Sequence, residues 1–375
     1  MLVMVYRSKI LLFTFSVALL TSLNCQASSY NFKGQASLFS SFSSIYNEWE
    51  GAGSIRYIPE LSYEKELTDS SVLILDSSMN IFTSANGHIG SSETSRAELY
   101  RLKAELKFPT SDFRIGLQKL NFGPAVILRS LQWFDQVSST DPLGLTNGVW
   151  AARYRNFFKN NAALWLWGLY GNEGLKGLEL TETTDDSIEF GGRFQYPLSF
   201  GEVALTYHQR ESERVGLSGL SDQLQEKRYA IDGRFDVEIG AWFELVMIDQ
   251  GIGSDNNWYN SLVLGSDYTF SIGNGLYVVL EHSHNGSSAR ALKIDEDSNT
   301  TAVQFDYPYG LFDSFSLMQN YSWESKSSLS FLSWQRTYDN FSINTGLFYS
   351  ESTEYNITTS PLSGKGVQLV LVYNH

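Results

Sequence analysis

The chain has 375 residues, 27 Lys and Arg against 41 Asp and Glu, a formal charge of −14, 14% aromatic residues and a single Cys. An acidic chain of this kind offers no basic patch for nucleic acid. One cysteine excludes both a disulfide framework and a Cys-based metal centre. No stretch beyond the N-terminal region has the length and apolarity of a transmembrane helix.

The N-terminal region reads as a secretory signal. Arg7 and Lys9 form a basic start, and Ile10 to Leu20 is apolar apart from Thr14 and Ser16. This run is too short to cross a bilayer as a helix. Cysteine at 25 and Ala27 satisfy a small-x-small rule, so cleavage after Ala27 is expected, with 1–27 as the signal peptide and 28–375 as the mature domain. Acylation at Cys25 is the alternative, but Leu23 and Asn24 fit a lipoprotein site poorly. Cleavage after Ala27 leaves a mature chain without cysteine.

From there the dominant signal is period-2 alternation. Ile188, Phe190, Gly192, Phe194 and Tyr196 alternate with Glu189, Arg193 and Gln195. After the turn at 197–200, Val203, Leu205 and Tyr207 alternate with Glu202, Thr206 and His208. Such a pattern makes a sheet with one apolar and one polar face. Strands are predicted in chain order at 31–43, 53–66, 72–83, 96–108, 113–121, 149–158, 162–170, 187–196 and 202–210. They continue at 227–238, 242–250, 259–271, 276–283, 301–307, 314–323, 329–337, 342–350 and 366–374. That makes about eighteen, or sixteen if two short ones fail, and single-chain bacterial barrels use even numbers.

Turn spacing carries as much weight as the strands. Brief turns at 68–70, 109–111, 159–161, 197–199, 240, 273–275, 311–312 and 339–340 use residues that accept or preset turn dihedrals. Longer polar links lie between them, at 84–95, 171–186, 211–226, 285–299 and 351–364. Short and long alternate, as in a barrel with brief periplasmic turns and extended outer loops. Abundant Tyr, Phe and Trp suit the two lipid–water interfaces. The expected fold is therefore all-β, a transmembrane antiparallel barrel in the cell outer membrane. The last strand ends on Asn374 and His375 rather than on an aromatic residue.

The link 122–147 is the most distinctive segment. Val126, Ile127, Leu128, Leu131, Trp133 and Phe134 make it too apolar for a solvated loop. It is expected to fold into the barrel as a constriction, with its apolar side chains on the inner wall and Arg129 and Asp135 toward the lumen. Alternation places Arg101, Lys103, Arg114, Arg153, Arg155 and Arg193 on inward faces as well. Together these eight are the candidate pore-lining residues, a set that could sort small solutes by charge.

Other motifs carry less. Residues 281–286, Glu-His-Ser-His-Asn-Gly, resemble the His-x-Ser-Asn-Gly stretch of outer-membrane phospholipases and the related pattern of lipid A deacylases. The nucleophile position is occupied by His284, and Ser283 points away from His282, so no hydrolase is expected. A strand end followed by an Asn-Gly turn explains the segment better. Asp295, Glu296 and Asp297 lack the spacing of a defined calcium loop. No catalytic residue, metal or cofactor is assigned.

Over 28–375 the chain resembles the bacterial porin-like outer-membrane barrels. In strand number and infolded link it is most similar to the general porin and alginate-export-like groups. That resemblance implies a monomeric or trimeric channel for passive diffusion of small polar or charged solutes. Export of an acidic exopolysaccharide is the more specific variant, and a non-conducting structural or lipid-modifying barrel is the other. The implied partners are outer-membrane lipid and lipopolysaccharide, the transported solute or polysaccharide, and the barrel-assembly machinery, with no nucleic acid.

Overall fold

The computed structural model describes residues 28–375 except 46–47, 87–93, 136–142, 144, 147, 178, 216–220, 254–255 and 352–363. The signal segment 1–27 lies outside the described residues. Those residues form nineteen strands and no helix. The first seven are β1 (Ser28–Ile45), β2 (Glu48–Thr68), β3 (Ser71–Asn86), β4 (Thr94–Phe108), β5 (Ser111–Gln118), β6 (Val149–Phe157) and β7 (Ala163–Tyr170). Next come β8 (Glu182–Thr183), β9 (Ile188–Leu198), β10 (Gly201–Val215), β11 (Ser221–Asp236), β12 (Gly240–Asp249) and β13 (Trp258–Phe270). The last six are β14 (Leu276–Ser288), β15 (Glu296–Tyr309), β16 (Asp313–Ser322), β17 (Ser327–Thr337), β18 (Phe341–Ser350) and β19 (Lys365–Asn374).

Strand follows strand in antiparallel pairing, and β19 returns to β1, with Gln35 opposite Asn374 and Ser44 opposite Lys365. Closure removes the free edges that an open sheet would leave. Eighteen strands make the wall. The remaining one, β8, has two residues and adds to β10 at Ser212 and Glu213, while β7 pairs directly with β9. His375 extends the seam, exchanging two backbone hydrogen bonds of 3.0 Å with Gly34. Its ring stacks on Tyr57 and Tyr373.

The wall is inverted relative to a soluble protein. Leu205, Leu264 and Leu347 are each more than half exposed, whereas Arg193, Thr206, Asp232, Glu244 and Glu281 on the other face are buried. A lipid-facing apolar band around a polar interior gives this pattern. Ring pairs mark both edges of the band. Phe200–Phe235 and Tyr309–Phe315 lie toward the short turns, and Phe42–Trp49 and Tyr321–Trp323 toward the longer junctions.

One end of the barrel carries only tight junctions and both ends of the described chain. In the turn before β14, Gly273 and Gly275 sit at φ 57° and 100°, a region open to glycine but strained for most residues. The opposite end carries the 119–148 and 171–187 links. There the exposed Glu324 carboxylate accepts the Asn299 backbone N–H and side-chain Nδ2, both at 2.7 Å, which holds it below the usual carboxylate range.

Three local expectations change. The 211–226 link is largely strand, because β10 and β11 run on with Ser212 opposite Leu224 and Arg214 opposite Asp222. The 285–299 link is likewise shortened by β14 and β15, and Asn285-Gly286 is paired strand rather than a turn. Above the apolar band the residues are mostly polar on both faces, so alternation fades while backbone pairing continues. The third change concerns 171–186, which folds inward, as described below.

Candidate inner constriction

After Gln118 the chain leaves the wall between β5 and β6 and crosses the barrel interior. Leu120, Phe122, Leu131, Trp133 and Phe134 pack with Val149, Ala151, Trp167, Leu169, Ala230 and Val246 in one buried cluster. Phe122 stacks on Trp167 with centroids 5.6 Å apart and meets Trp133 edge-on at 5.7 Å. The expected apolar face of the link is thus seated on the wall of β6, β7, β11 and β12. A second cluster joins Ala125 to Trp242, Val263 and Val279, with Ile127 and Leu128 against it.

Two wall carboxylates hold the far side of the segment. Glu244 on β12 accepts the Ala125, Ser130 and Leu131 N–H groups at 3.0, 2.9 and 3.1 Å, and the Ser130 hydroxyl at 2.7 Å. Glu281 on β14 accepts Val126, Ile127 and Leu128 N–H at 2.6, 2.9 and 2.5 Å, and Trp242 Nε1 at 3.0 Å. Backbone donors in an irregular segment must find partners when buried, and here six of them converge on two side chains. Gly123 makes the approach possible. Its φ is +97°, and a Cβ there would stand 2.4 Å from a Glu244 oxygen.

The 171–187 link is tied in beside it. Lys176 is wholly buried, with Nζ 3.0 Å from Glu189 and donating to Thr183 Oγ1 at 2.7 Å. Glu179 meets Arg228 at 2.7 Å and Arg210 at 3.2 Å, and both arginines also bond Glu226. His208 accepts from Trp167 Nε1 at its Nδ1 and reaches Glu189 from Nε2, each at 3.2 Å. Because indole N–H can only donate, this arrangement fixes the neutral ring with its proton on Nε2. Gly177 N–H donates to the Asp135 carbonyl at 2.7 Å and joins the two inward segments.

The eight candidate residues fall into separate groups. Arg114 and Arg153 are cross-strand partners. Arg114 contacts Glu105 at 2.8 Å, Arg155 contacts Asp112 at 2.7 Å, and Arg153 shares Asp112. Lys103 bridges Asp76 at 2.9 Å and Glu105 at 3.7 Å. Arg101 donates to the Thr146 carbonyl at 2.8 Å. Arg193 lies beneath the segment, paired with Asp232 at 2.5 and 2.7 Å, its guanidinium over Phe122. Arg129 bonds Asn121 and stands 3.7 Å from Asp135, whose side chain is only 2% exposed. Asp135 is therefore shielded rather than presented to solvent. Val126, expected against the wall, is 45% exposed instead. The rest of the 122–147 link, 136–142, 144 and 147, lies outside the described residues.

Alternation puts Glu189 and His208 on the polar face of their strands, but it does not show that they, with Glu244 and Glu281, bind the inward segments. The available signal was weak, namely acidic residues on strands facing an apolar link with many unsatisfied N–H groups. The phospholipase-like stretch assembles no nucleophile–base pair. His282 Nδ1 lies 2.9 Å from Thr301 Oγ1, and Ser283 accepts from Asn285.

No family model matches the sequence, and no curated protein matches it. Solved structures do match in fold. OccAB1 of Acinetobacter baumannii superposes with a TM-score of 0.60 at 9% identity, over 94% of this chain and 97% of that one. Wzi of Escherichia coli, an outer-membrane protein of group 1 capsule assembly described as a carbohydrate-binding β-barrel, gives 0.56 at 11% identity, over 91% and 83%. An anion-selective porin from Comamonas acidovorans gives 0.50 at 12% identity, over 93% and 100%. The shared feature is the architecture, that of the porin-like outer-membrane barrels.

Proposed function

We propose that the chain is an outer-membrane channel for passive diffusion of small polar solutes, with its width set by the inward segment 119–135. The observation that carries this reading is the attachment of that segment to the wall by Glu244 and Glu281. A segment held by seven donors from its own residues keeps a fixed position, and a fixed obstruction inside a wide barrel acts as a size filter. In this reading 1–27 directs secretion and is removed, the barrel-assembly machinery inserts the chain, and the apolar band meets lipid and lipopolysaccharide.

Passage runs beside the segment, along β15–β19 and β1–β4. Arg101, Lys103 and Arg114 line its edge, and Arg129 stands on the segment itself. Export of an acidic polysaccharide would need inward cations available to polymer carboxylates. Lys103, Arg114, Arg153, Arg155 and Arg193 already face carboxylates of the wall, which favours diffusion of small solutes.

The test is liposome swelling with refolded 28–375. Uniform small sugars should enter, with rates falling steeply as solute size grows. Absence of swelling with every solute, from protein that is folded by circular dichroism, contradicts the channel.

A further inference from the structure

The charges of the wall are distributed unevenly. On β16–β19 the only Asp, Glu, Lys or Arg residues are Asp313, Arg336 and Lys365. Register places all three on the lipid-facing side near strand ends, with Arg336 opposite Asp313 and Lys365 opposite Tyr349. No inward-facing position of these four consecutive strands is charged. At about 4.8 Å per strand this leaves an uncharged arc of roughly 20 Å on the inner wall. Inward positions of β4–β14, by contrast, carry acidic and basic residues repeatedly, most of them paired beneath the two inward segments.

The inner face of that arc has two textures. One cross-strand row reads Ser316, Ser333, Gly346, Gln368, and the next Ser314, Gln335, Asn344, Val370, so hydroxyls and amides outnumber apolar side chains. A third row places Met318 beside Phe331 and Phe331 beside Phe348. The Phe331 and Phe348 rings lie over Gly346 and Gly366, where a Cβ would meet them at 2.7 and 2.6 Å. Each ring fills the place of a missing side chain and lies along the wall.

The segment side of the passage is also poor in free charge. Val126 is exposed, and Arg129 is engaged with Asn121 and Asp135. On the remaining side, Lys103 is bridged to Asp76, and the Arg56 guanidinium lies 4.9 Å from the Phe82 ring centre.

We propose that the solutes guided through this channel are uncharged and hydroxyl-rich, neutral sugars or short neutral oligosaccharides that move along the inner face of β16–β19. The inference rests on the channel reading above. On β16–β19 a charged solute that sheds water meets no counter-charge and loses hydration without replacement; Asp306, on the neighbouring β15 opposite Ser316, already accepts from Gln304. A sugar exchanges its water for Ser, Asn and Gln groups that both donate and accept. Its C–H faces find Met318 and Phe331, which the buried Phe348 backs.

The experiment uses refolded 28–375 in planar bilayers and in liposomes, with maltotriose and raffinose as neutral probes and sugar acids and amino sugars of similar size as charged ones. Swelling should be several-fold faster with neutral than with charged probes, and added maltotriose should reduce the ion current in a saturable way. Phe331→Ala and Asn344→Leu should each weaken that block several-fold, measured against each variant's own sugar-free current. Conductance that maltotriose does not reduce, or faster entry of charged probes, overturns the sugar assignment and leaves the channel standing. If a folded barrel shows neither conductance nor swelling, the channel reading itself fails and takes this inference with it.

Discussion

Glu244 accepts both the backbone N–H and the hydroxyl of Ser130, at 2.9 and 2.7 Å, across 114 residues of sequence. One wall side chain thereby fixes a turn of the inward segment from two directions. Charge-assisted hydrogen bonds of this kind contribute about 1.5–3 kcal/mol each, and a buried donor left without its acceptor costs about 1–3 kcal/mol. Glu244→Ala should free the segment and leave the barrel closed. The expected result is a larger and noisier single-channel current with unchanged strand content by circular dichroism. Glu281→Ala should act in the same direction.

Gly123→Ala should reproduce the Glu244→Ala behaviour without removing any acceptor. The added methyl would stand 2.4 Å from Glu244 Oε1 and 2.9 Å from Leu131 Cβ, at a φ of +97°. Backbone strain and the clash act together, so the carboxylate or the segment must move. Comparing the current noise of the two variants checks this. Quiet, wild-type traces from Gly123→Ala would count against the packing described.

Lys176→Met should destabilise the 171–187 link strongly. Glu179 and Glu189 would keep their burial and lose the ammonium between them. Breaking a buried ion pair from one side typically costs about 3–5 kcal/mol. Limited proteolysis of the refolded barrel should show new cleavage within 171–187, with the wall strands still protected. Equal protease resistance of variant and wild type would contradict the burial.

The lipid face has its own test. Leu205 is 57% exposed on β10, while its neighbours Ala204 and Thr206 are buried on the inner side. An arginine in the apolar band of such a barrel costs about 2–4 kcal/mol near the bilayer midplane. Leu205→Arg should lower the stability of the protein folded in lipid vesicles, measured by denaturant titration, whereas Leu205→Phe should be close to neutral. The reverse ranking would mean that the apolar face does not meet lipid.

Much of the architecture is legible in local pattern. The alternation of Phe190, Phe194 and Leu205 with Glu189, Arg193 and Thr206 places every one of these side chains on its observed face. The inward course of Leu131, Trp133 and Phe134 follows from their apolarity alone. The same logic fails where burial is achieved by charge. Lys176 and Glu179 look like residues of a solvated link, yet they are buried because Glu189, Arg210 and Arg228 on other strands complete them. Asp135 likewise reads as a lumenal acid but lies shielded beside Arg129. Pairings between distant residues leave no local trace in one sequence, whereas a period of two does. The extension of β10 to Val215 escaped for a related reason, since Glu211, Ser212, Glu213 and Arg214 carry no apolar rhythm.

Single-channel conductance of refolded 28–375, compared before and after deletion of residues 124–133, tests the central claim most directly. The account predicts a discrete, stable conductance in the intact chain and a markedly larger one in the deletion variant, with strand content preserved. Equal conductance in both forms would show that the segment tied to Glu244 and Glu281 does not limit passage, and silence from both would show that this barrel is not a channel.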